Sequence, residues 1–327
     1  MSRWLVTGGA GYIGAHVVRA LRADGADVVV LDDLSSGHAE FVPDDVPLVR
    51  ASVTDAAAVA GTLRAHAVDG VVHLAAFKYA GESVRRPLHT YEQNVTGTAR
   101  LLAAMAEVGT PLLVFSSSAA VYGTPDVDLV TEETPTAPES PYGRSKLVGE
   151  WLVADAARPE AAGEVPRLRH TSLRYFNVIG SGDPAVYDSS PHNLVPLVLD
   201  AVLAGRAPRI LGDDYPTPDG TCVRDYVDVA EVAAAHVAAA RALEAGRTLA
   251  PVYNLGAGEG RSVREVMAAV AAVTGVPFEP EVGPRRPGDP PRIVASGALA
   301  ARDLGWAPRA TLEEMVRSAW QARRAVA

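Results

Sequence analysis

Tyr142 and Lys146 stand four residues apart in the segment SPYGRSK. If the segment is helical, that spacing puts both side chains on one face. A lysine ammonium beside a phenol favours the phenolate, so the pair could form a general base working near neutral pH. On an isolated helix the same pair is an ordinary solvated face. The upstream segment VFSSSAAVYG changes the balance. Three serines, Ser116, Ser117 and Ser118, follow directly on an apolar run. They place hydroxyls at the carboxyl edge of a predicted sheet, where open α/β sheets bind their ligands.

A second cluster lies near the start of the chain, in VTGGAGYIGAHVVRAL. Gly8, Gly11 and Gly14, with Tyr12 and Ile13 between them, fall in the first strand-to-helix turn. Glycines there let the backbone turn tightly and approach a pyrophosphate, which the free N–H groups of the helix N-terminus then meet. A glycine triplet alone is equally an ordinary turn. Asp32 supports the binding reading. It ends the second predicted strand, about twenty residues on, where a carboxylate can hold the two ribose hydroxyls of an adenosine. It would repel a 2′-phosphate, and Asp33 beside it adds to that repulsion, so NAD is favoured over NADP. The positive ring of oxidised NAD is a further charge that would lower the Tyr142 pKa towards working pH.

The elements that must position these residues are legible as alternating periods. RWLVTG, DVVVLDD, VPLVRAS, GVVHLAA, PLLVFSSS and RHTSLRYFN read as buried parallel strands. GAHVVRALRADG and QNVTGTARLLAAMAEVG between them have helical spacing. The pattern predicts an α/β fold, a Rossmann-type doubly wound parallel sheet over residues 1–176. From Asn177 onward the loops lengthen and the short strands APRIL and PVYNLG scatter. Residues 177–327 are therefore expected to form a smaller, discontinuous α/β substrate region, with a segment near 224–250 returning to the first domain. The alanine-rich VAEVAAAHVAAARALEAG within that segment has helical period.

Bulk composition narrows the function classes. The 327 residues are 48% hydrophobic and 21% charged, with net charge −9 and pI about 5.4. An acidic chain of this kind repels nucleic acid and anionic membrane, so neither is an expected partner. An anionic small ligand would need local arginines. The single cysteine, Cys222, can form neither an internal disulfide nor a cysteine-rich zinc site. No metal ligand set is expected. With no signal-like start and no apolar run of spanning length, a cytoplasmic enzyme is expected.

Longer motifs carry a resemblance over nearly the whole chain: TGGAGYIGAH, HLAAFKYAGESV, FSSSAAVYG, SPYGRSK, LRYFNVIG, DYPTPDGTCVRDYVDV, YNLGAGEGRSV and PRRPGDPP. The chain resembles the extended short-chain dehydrogenases/reductases, and within them the UDP-glucose 4-epimerase group. The resemblance implies tightly held NAD and a UDP-sugar substrate whose carbon 4 is inverted through a 4-keto sugar. It makes Tyr142 the base, Lys146 the residue that lowers the tyrosine pKa and holds the nicotinamide ribose, and Ser118 the hydrogen-bond partner of the 4-oxygen. It extends the cofactor site to Leu34, Ser52 and Val53, to Leu74, Ala75, Ala76 and Lys78, and to Asn94, Ser116 and Tyr175. It assigns Asn177, Asn193, Leu194 and Leu211 to the sugar nucleotide, along with Lys78, Ser118 and Tyr142. Arg224 and Arg286 become candidate diphosphate clamps, since guanidinium offers paired donors to phosphate oxygens. Asp289 would hold the uridine ribose. A homodimer packed through helices that include the Tyr142 helix is also implied.

Departures from the family pattern bear on substrate and cofactor. Ser52 stands where an aspartate often reads adenine, so cofactor retention is expected to be looser. Ala120 replaces a threonine near the catalytic serine, Gln93 replaces an asparagine before Asn94, and the 177–193 segment is short. Ile293 stands where a bulky tyrosine is thought to exclude N-acetylated sugars, which suggests tolerance of UDP-N-acetylglucosamine. Sugar-nucleotide 4,6-dehydratases need an acid–base pair where this chain has Ala119 and Ala120, so dehydration is disfavoured. A non-catalytic NAD-sensing protein would be expected to lose Tyr142, Lys146 or Ser118, and all three are present.

Overall fold

The computed structural model describes residues 2–162, 166–286 and 289–326. The apolar runs of the first half form strands β1 (Arg3–Thr7), β2 (Asp27–Asp32), β3 (Leu48–Arg50), β4 (Gly70–His73), β5 (Leu112–Ser118) and β6 (Arg169–Tyr175). The helices between them are α1 (Tyr12–Ala23), α2 (Ala56–Ala65), α3 (Ala80–Arg85), α4 (Pro87–Tyr91), α5 (Gly97–Val108), α6 (Pro141–Ala156) and α7 (Pro159–Ala162). The second half adds β7 (Asn177–Ile179), α8 (Leu194–Leu203), β8 (Arg209–Leu211), β9 (Val223–Asp228), α9 (Val229–Glu244), β10 (Val252–Leu255) and β11 (Gly260–Ser262). It ends with α10 (Val263–Thr274), β12 (Glu281–Gly283), β13 (Arg292–Ile293), α11 (Ala298–Leu304) and α12 (Leu312–Arg324).

Seven strands form one sheet in the order β10-β6-β5-β4-β1-β2-β3, every pair parallel. Side chains alternate along each strand, so one strand feeds two cores. Trp4 and Val6 of β1 pack with Val17, Leu21 and α9 residues such as Val232 and Leu243. Leu5 between them joins Val59, Leu63, Leu101 and Met105 of α2 and α5. Both faces are thereby covered, as the continuous hydrophobicity of the strands requires. The order reverses between β1 and β4. Beyond the carboxyl ends of those two strands the crossovers diverge to opposite faces and leave a crevice.

The second region has its own core, with Val198, Leu199, Val266, Val270, Met315 and Val316 among its buried residues. Its sheet runs β11-β9-β13 with β7 against β9, and β12 pairs with β8 separately. The 224–250 segment divides between the two regions. Strand β9 pairs inside the small sheet, α9 packs on α1, and β10 after it joins the large sheet. The apolar face of α9 sets this arrangement, since Val232, Ala235, Ala239 and Leu243 all enter the large core. The expected QNVTGT helix start also differs in detail. Glu92–Thr96 is a π-helical segment between α4 and α5. Among the described residues no helix is long and apolar enough to cross a membrane.

Candidate active site

A cleft of about 610 Å³ runs along the carboxyl edge of the large sheet and continues beneath the small region. Its floor begins at the glycine turn. Gly8 has φ +72°, and a Cβ there would stand 2.7 Å from the Ala75 backbone nitrogen. A Cβ on Gly14 would stand 2.1 Å from the Gly8 carbonyl oxygen. Only glycine allows this turn to close against β4 and α1. Gly11 is the N-cap of α1 and makes no side-chain hydrogen bond, so no cap side chain occupies the first-turn N–H groups.

Asp32 ends β2 at the cleft wall. Its Oδ2 accepts from Ala10 N at 3.0 Å and its Oδ1 from Leu34 N at 2.8 Å. Burial pushes its carboxyl above the usual range, and the two N–H bonds partly offset that. Leu34 adopts φ +60° to make its bond, facing the core and not the cleft. Ser35, Ser36 and Gly37 line the wall instead, a loop signalled only by its place after Asp33. This donor and acceptor set fits a dinucleotide: glycine floor, helix N-terminus and a carboxylate for ribose.

The chemistry-bearing residues lie at the other end. Ser140 caps α6 by accepting from Gly143 N at 3.1 Å, and Pro141 opens its first turn, so Tyr142 and Lys146 fall on successive turns. Lys146 is only 4% exposed and donates from Nζ to the Ser116 carbonyl at 2.8 Å. The Ser116 hydroxyl is hydrogen-bonded to the Tyr175 phenol. Ser118 accepts from Ala120 N at 3.2 Å, and its hydroxyl lies close enough to Tyr142 to favour the phenolate. All five residues border the cleft.

The expected depression of the Tyr142 pKa is not a property of the polypeptide alone. Burial raises the phenol above its ordinary value, and the Ser118 hydrogen bond offsets only part of this. Lys146 bonds elsewhere, and burial lowers its own value to about 8 while Glu150 raises it. A cation brought in beside the phenol must supply the rest.

The family model described as the NAD dependent epimerase/dehydratase family matches residues 4–256. The chain belongs to the NAD dependent epimerase/dehydratase family. A UDP-glucose 4-epimerase of Corynebacterium glutamicum is 43% identical, the match covering 97% of this chain and 94% of that one. The solved UDP-glucose-4-epimerase of Stenotrophomonas maltophila, with bound NAD and formylated UDP-arabinopyranose, is 40% identical. It superposes with TM-score 0.92 over 99% of this chain and 98% of that one. The UDP-Glc/GlcNAc 4-epimerase of Campylobacter jejuni is 34% identical with TM-score 0.84, covering 99% and 100%.

Within this family frame, the remaining expected residues separate into two groups. Val53, Leu74, Ala75, Ala76, Lys78, Asn177, Asn193 and Leu194 line the cleft with the residues above. Ser52, Asn94, Leu211, Arg224, Arg286 and Asp289 do not. Ser52 turns to Thr54, its Oγ 2.9 Å from Thr54 Oγ1. Asn94 is a buried brace. Its side chain accepts from Phe77 N at 2.7 Å and donates to Phe77 O at 3.0 Å and Ser145 Oγ at 2.8 Å, so its amide is consumed behind the wall. Arg224 and Arg286 stand on either side of Asp289, at 3.7 and 4.0 Å, with Arg224 also donating to Pro290 O at 2.7 Å. Pro287 and Gly288 of the PRRPGDPP motif lie outside the described residues. Ile293 is buried with Phe176, and Phe176 reaches the cleft. Phe77, Tyr79, Arg86 and His89 also line the cleft. Phe77 and Tyr79 lie within the HLAAFKYAGESV segment, whereas Arg86 and His89 follow it and carried no sequence signal. Among the described residues no group of three or more His, Cys, Asp or Glu is placed to hold a metal.

Proposed function

We propose that this chain is a UDP-glucose 4-epimerase, interconverting UDP-glucose and UDP-galactose with NAD retained through the cycle. The observation that carries this is the meeting of Tyr142, Lys146 and Ser118 with the glycine turn and Asp32 along one cleft. NAD, when bound, supplies the hydride acceptor and donor for carbon 4. The protein's own part is proton transfer and orientation. Tyr142 takes the proton of the sugar 4-hydroxyl through its phenol oxygen and returns it after the 4-keto sugar has turned over. Ser118 holds the 4-oxygen, and it lines the same cleft as Tyr142. Lys146, anchored on the Ser116 carbonyl, holds positive charge at the cleft wall. Ala119 and Ala120 offer no proton to a leaving hydroxyl, which favours epimerisation over dehydration.

Lys78, Asn177, Asn193 and Leu194 are proposed to meet the sugar nucleotide. The Arg224–Asp289–Arg286 cluster is proposed to receive the diphosphate and ribose, with Asp289 giving up its hold on the arginines as phosphate replaces it. Residues 1–176 with 229–255 are proposed as the cofactor unit and the rest as the substrate unit.

Purified protein incubated with UDP-galactose, without added NAD, is expected to form UDP-glucose. Activity that appears only on adding NAD would show that the cofactor is weakly retained, and no activity under either condition would remove the epimerase reading. UDP-N-acetylglucosamine belongs in the same assay. Ile293 backs Phe176 with a smaller side chain than tyrosine, so turnover of that sugar is expected, and none at millimolar concentration would show that the pocket excludes it.

A homodimer is proposed on the α3–α4–α6 face. Those helices pack on one another, and Val84 (64% exposed), Leu88 (83%) and Trp151 (58%) stand out from them into solvent. Sedimentation is expected to give twice 34.2 kDa for the parent and a single chain for Trp151→Arg. A monomeric parent would end the proposal.

A further inference from the structure

Behind the dyad, on the side away from the cleft, lies a buried ion pair that the reaction as described does not use. Glu150 is 7% exposed and Arg174 5% exposed. Arg174 donates from Nε to Glu150 Oε1 at 2.8 Å and from Nη2 to Oε2 at 2.5 Å. Ser117 donates its hydroxyl to Glu150 as well. The third guanidinium nitrogen, Nη1, donates to the Tyr122 hydroxyl at 2.8 Å, and Tyr122 donates to Asn254 Oδ1 at 2.7 Å. Every member has partners, so the network is rigid.

Its position relative to the dyad follows from helix geometry. Tyr142, Lys146 and Glu150 recur every four residues on α6, so the three side chains form one row. That row meets the serine run of β5. Tyr142 comes up beside Ser118, Lys146 bonds the carbonyl of Ser116, and Glu150 bonds the hydroxyl of Ser117. Around Lys146 the other charged or titratable groups offer no negative charge. His73 of β4 is buried and held neutral, with its value lowered to about 3. Tyr175 of β6 is a protonated phenol bonded to Ser116. The Phe115 ring of β5 lies 5.4 Å from Nζ. Arg174 is turned to its own carboxylate.

Composition makes this point sharper. The chain has 30 basic residues counting lysine and arginine, and only two are lysines, Lys78 and Lys146. Both line the cleft. Everywhere else arginine serves, and arginine cannot give up its proton.

We propose that Glu150 is a positioning residue for the reaction. Clamped by Arg174 and Ser117, it holds the third turn of α6 against β5 and supplies the counter-charge that keeps Lys146 an ammonium beneath the cleft. Its effect on rate rests on the epimerase reading, whereas its effect on Lys146 ionisation does not.

The test is a pH titration of protein carrying 13C at the lysine ε-carbons. Two lysines give two resonances, and Lys78→Arg assigns the one belonging to Lys146. Glu150→Gln is expected to lower the Lys146 midpoint by about one pH unit. The alkaline limb of kcat should move down with it while KM for UDP-galactose stays constant, and Glu150→Asp should restore both. If Glu150→Gln does not fold, Glu150→Gln with Arg174→Met replaces the pair by uncharged side chains of similar reach, which buried pairs often tolerate. A folded variant whose Lys146 midpoint is unchanged would overturn the proposal and leave Glu150 a structural brace. A shifted midpoint in a protein that turns over no sugar nucleotide would uphold the charge coupling and remove the epimerase reading instead.

Discussion

Tyr142→Phe is expected to lower turnover of UDP-galactose by between about 10² and 10⁴-fold, with little change in stability or in NAD binding. The substitution removes one oxygen and keeps the ring that fills the cleft wall. The lost oxygen is the one whose ionisation Ser118 favours, on a residue that lines the cleft. In the polypeptide alone this phenol is raised above its ordinary value by burial, so at neutral pH it is protonated. It becomes a base only when a cation arrives beside it. The same burial then works in favour of catalysis, because a charge placed in a dry site acts more strongly than one in water. The measurement is initial rate beside a thermal melt. Residual activity above a tenth of the parent, in a folded protein, would show that another group takes the proton, with Ser118 the next to test.

The legibility of this protein followed the strength of local constraint. The six strands of the first half were readable because a sheet buried on both faces requires nearly unbroken apolar runs, as in Val28–Leu31 and Leu112–Phe115. The glycine turn and Asp32 were readable for a similar reason. Steric closure at Gly8 and Gly14 leaves no other residue possible, and the strand end fixes where the carboxylate falls. Tyr142 and Lys146 were placed correctly on one helix face, yet the spacing could not show that Lys146 would spend its proton on the Ser116 carbonyl. The side chain's partner depends on β5 lying alongside, a long-range contact with no trace in a four-residue window.

Less could be read where the contacts are long-range and the segments short. Asn94 stands in a motif that suggests cofactor, but its amide has three partners in the wall. Strand β9 and helix α9 are adjacent in sequence and belong to different layers, because β9 finds β7, β11 and β13 while α9 finds α1. Nothing in the local pattern of VRDYVDVAEVAAAH distinguishes a strand of the large sheet from one of the small. The family resemblance assigns Arg224, Arg286 and Asp289 to the substrate, and the structure places them off the cleft wall with their charges engaged with one another.

Lys146→Met is expected to lower turnover by at least about 10²-fold and, at pH 7, to make the protein more stable. The sign follows from the titration of the buried amine. Its value in the folded chain is about 8, lowered by burial, against about 10.4 for an unfolded lysine. Between those two values the unfolded chain binds more protons than the native one, so stability rises with pH across that window. Below pH 8 the amine is charged in both states, and the cost of burying that charge is fully present. A difference of roughly two units corresponds to about 3 kcal/mol, less about 1 kcal/mol for the lost bond to the Ser116 carbonyl. The variant should therefore gain about 2 kcal/mol at pH 7, and the gain should vanish near pH 10, where the parent amine is already neutral. Urea unfolding of both proteins at the two pH values measures this directly. A variant less stable than the parent at pH 7 would mean that the ammonium's contacts to Ser116, Phe115 and Glu150 outweigh its desolvation. A gain at pH 7 joined to the loss of turnover would show that the fold bears a destabilising charge at its centre because the chemistry at Tyr142 requires one.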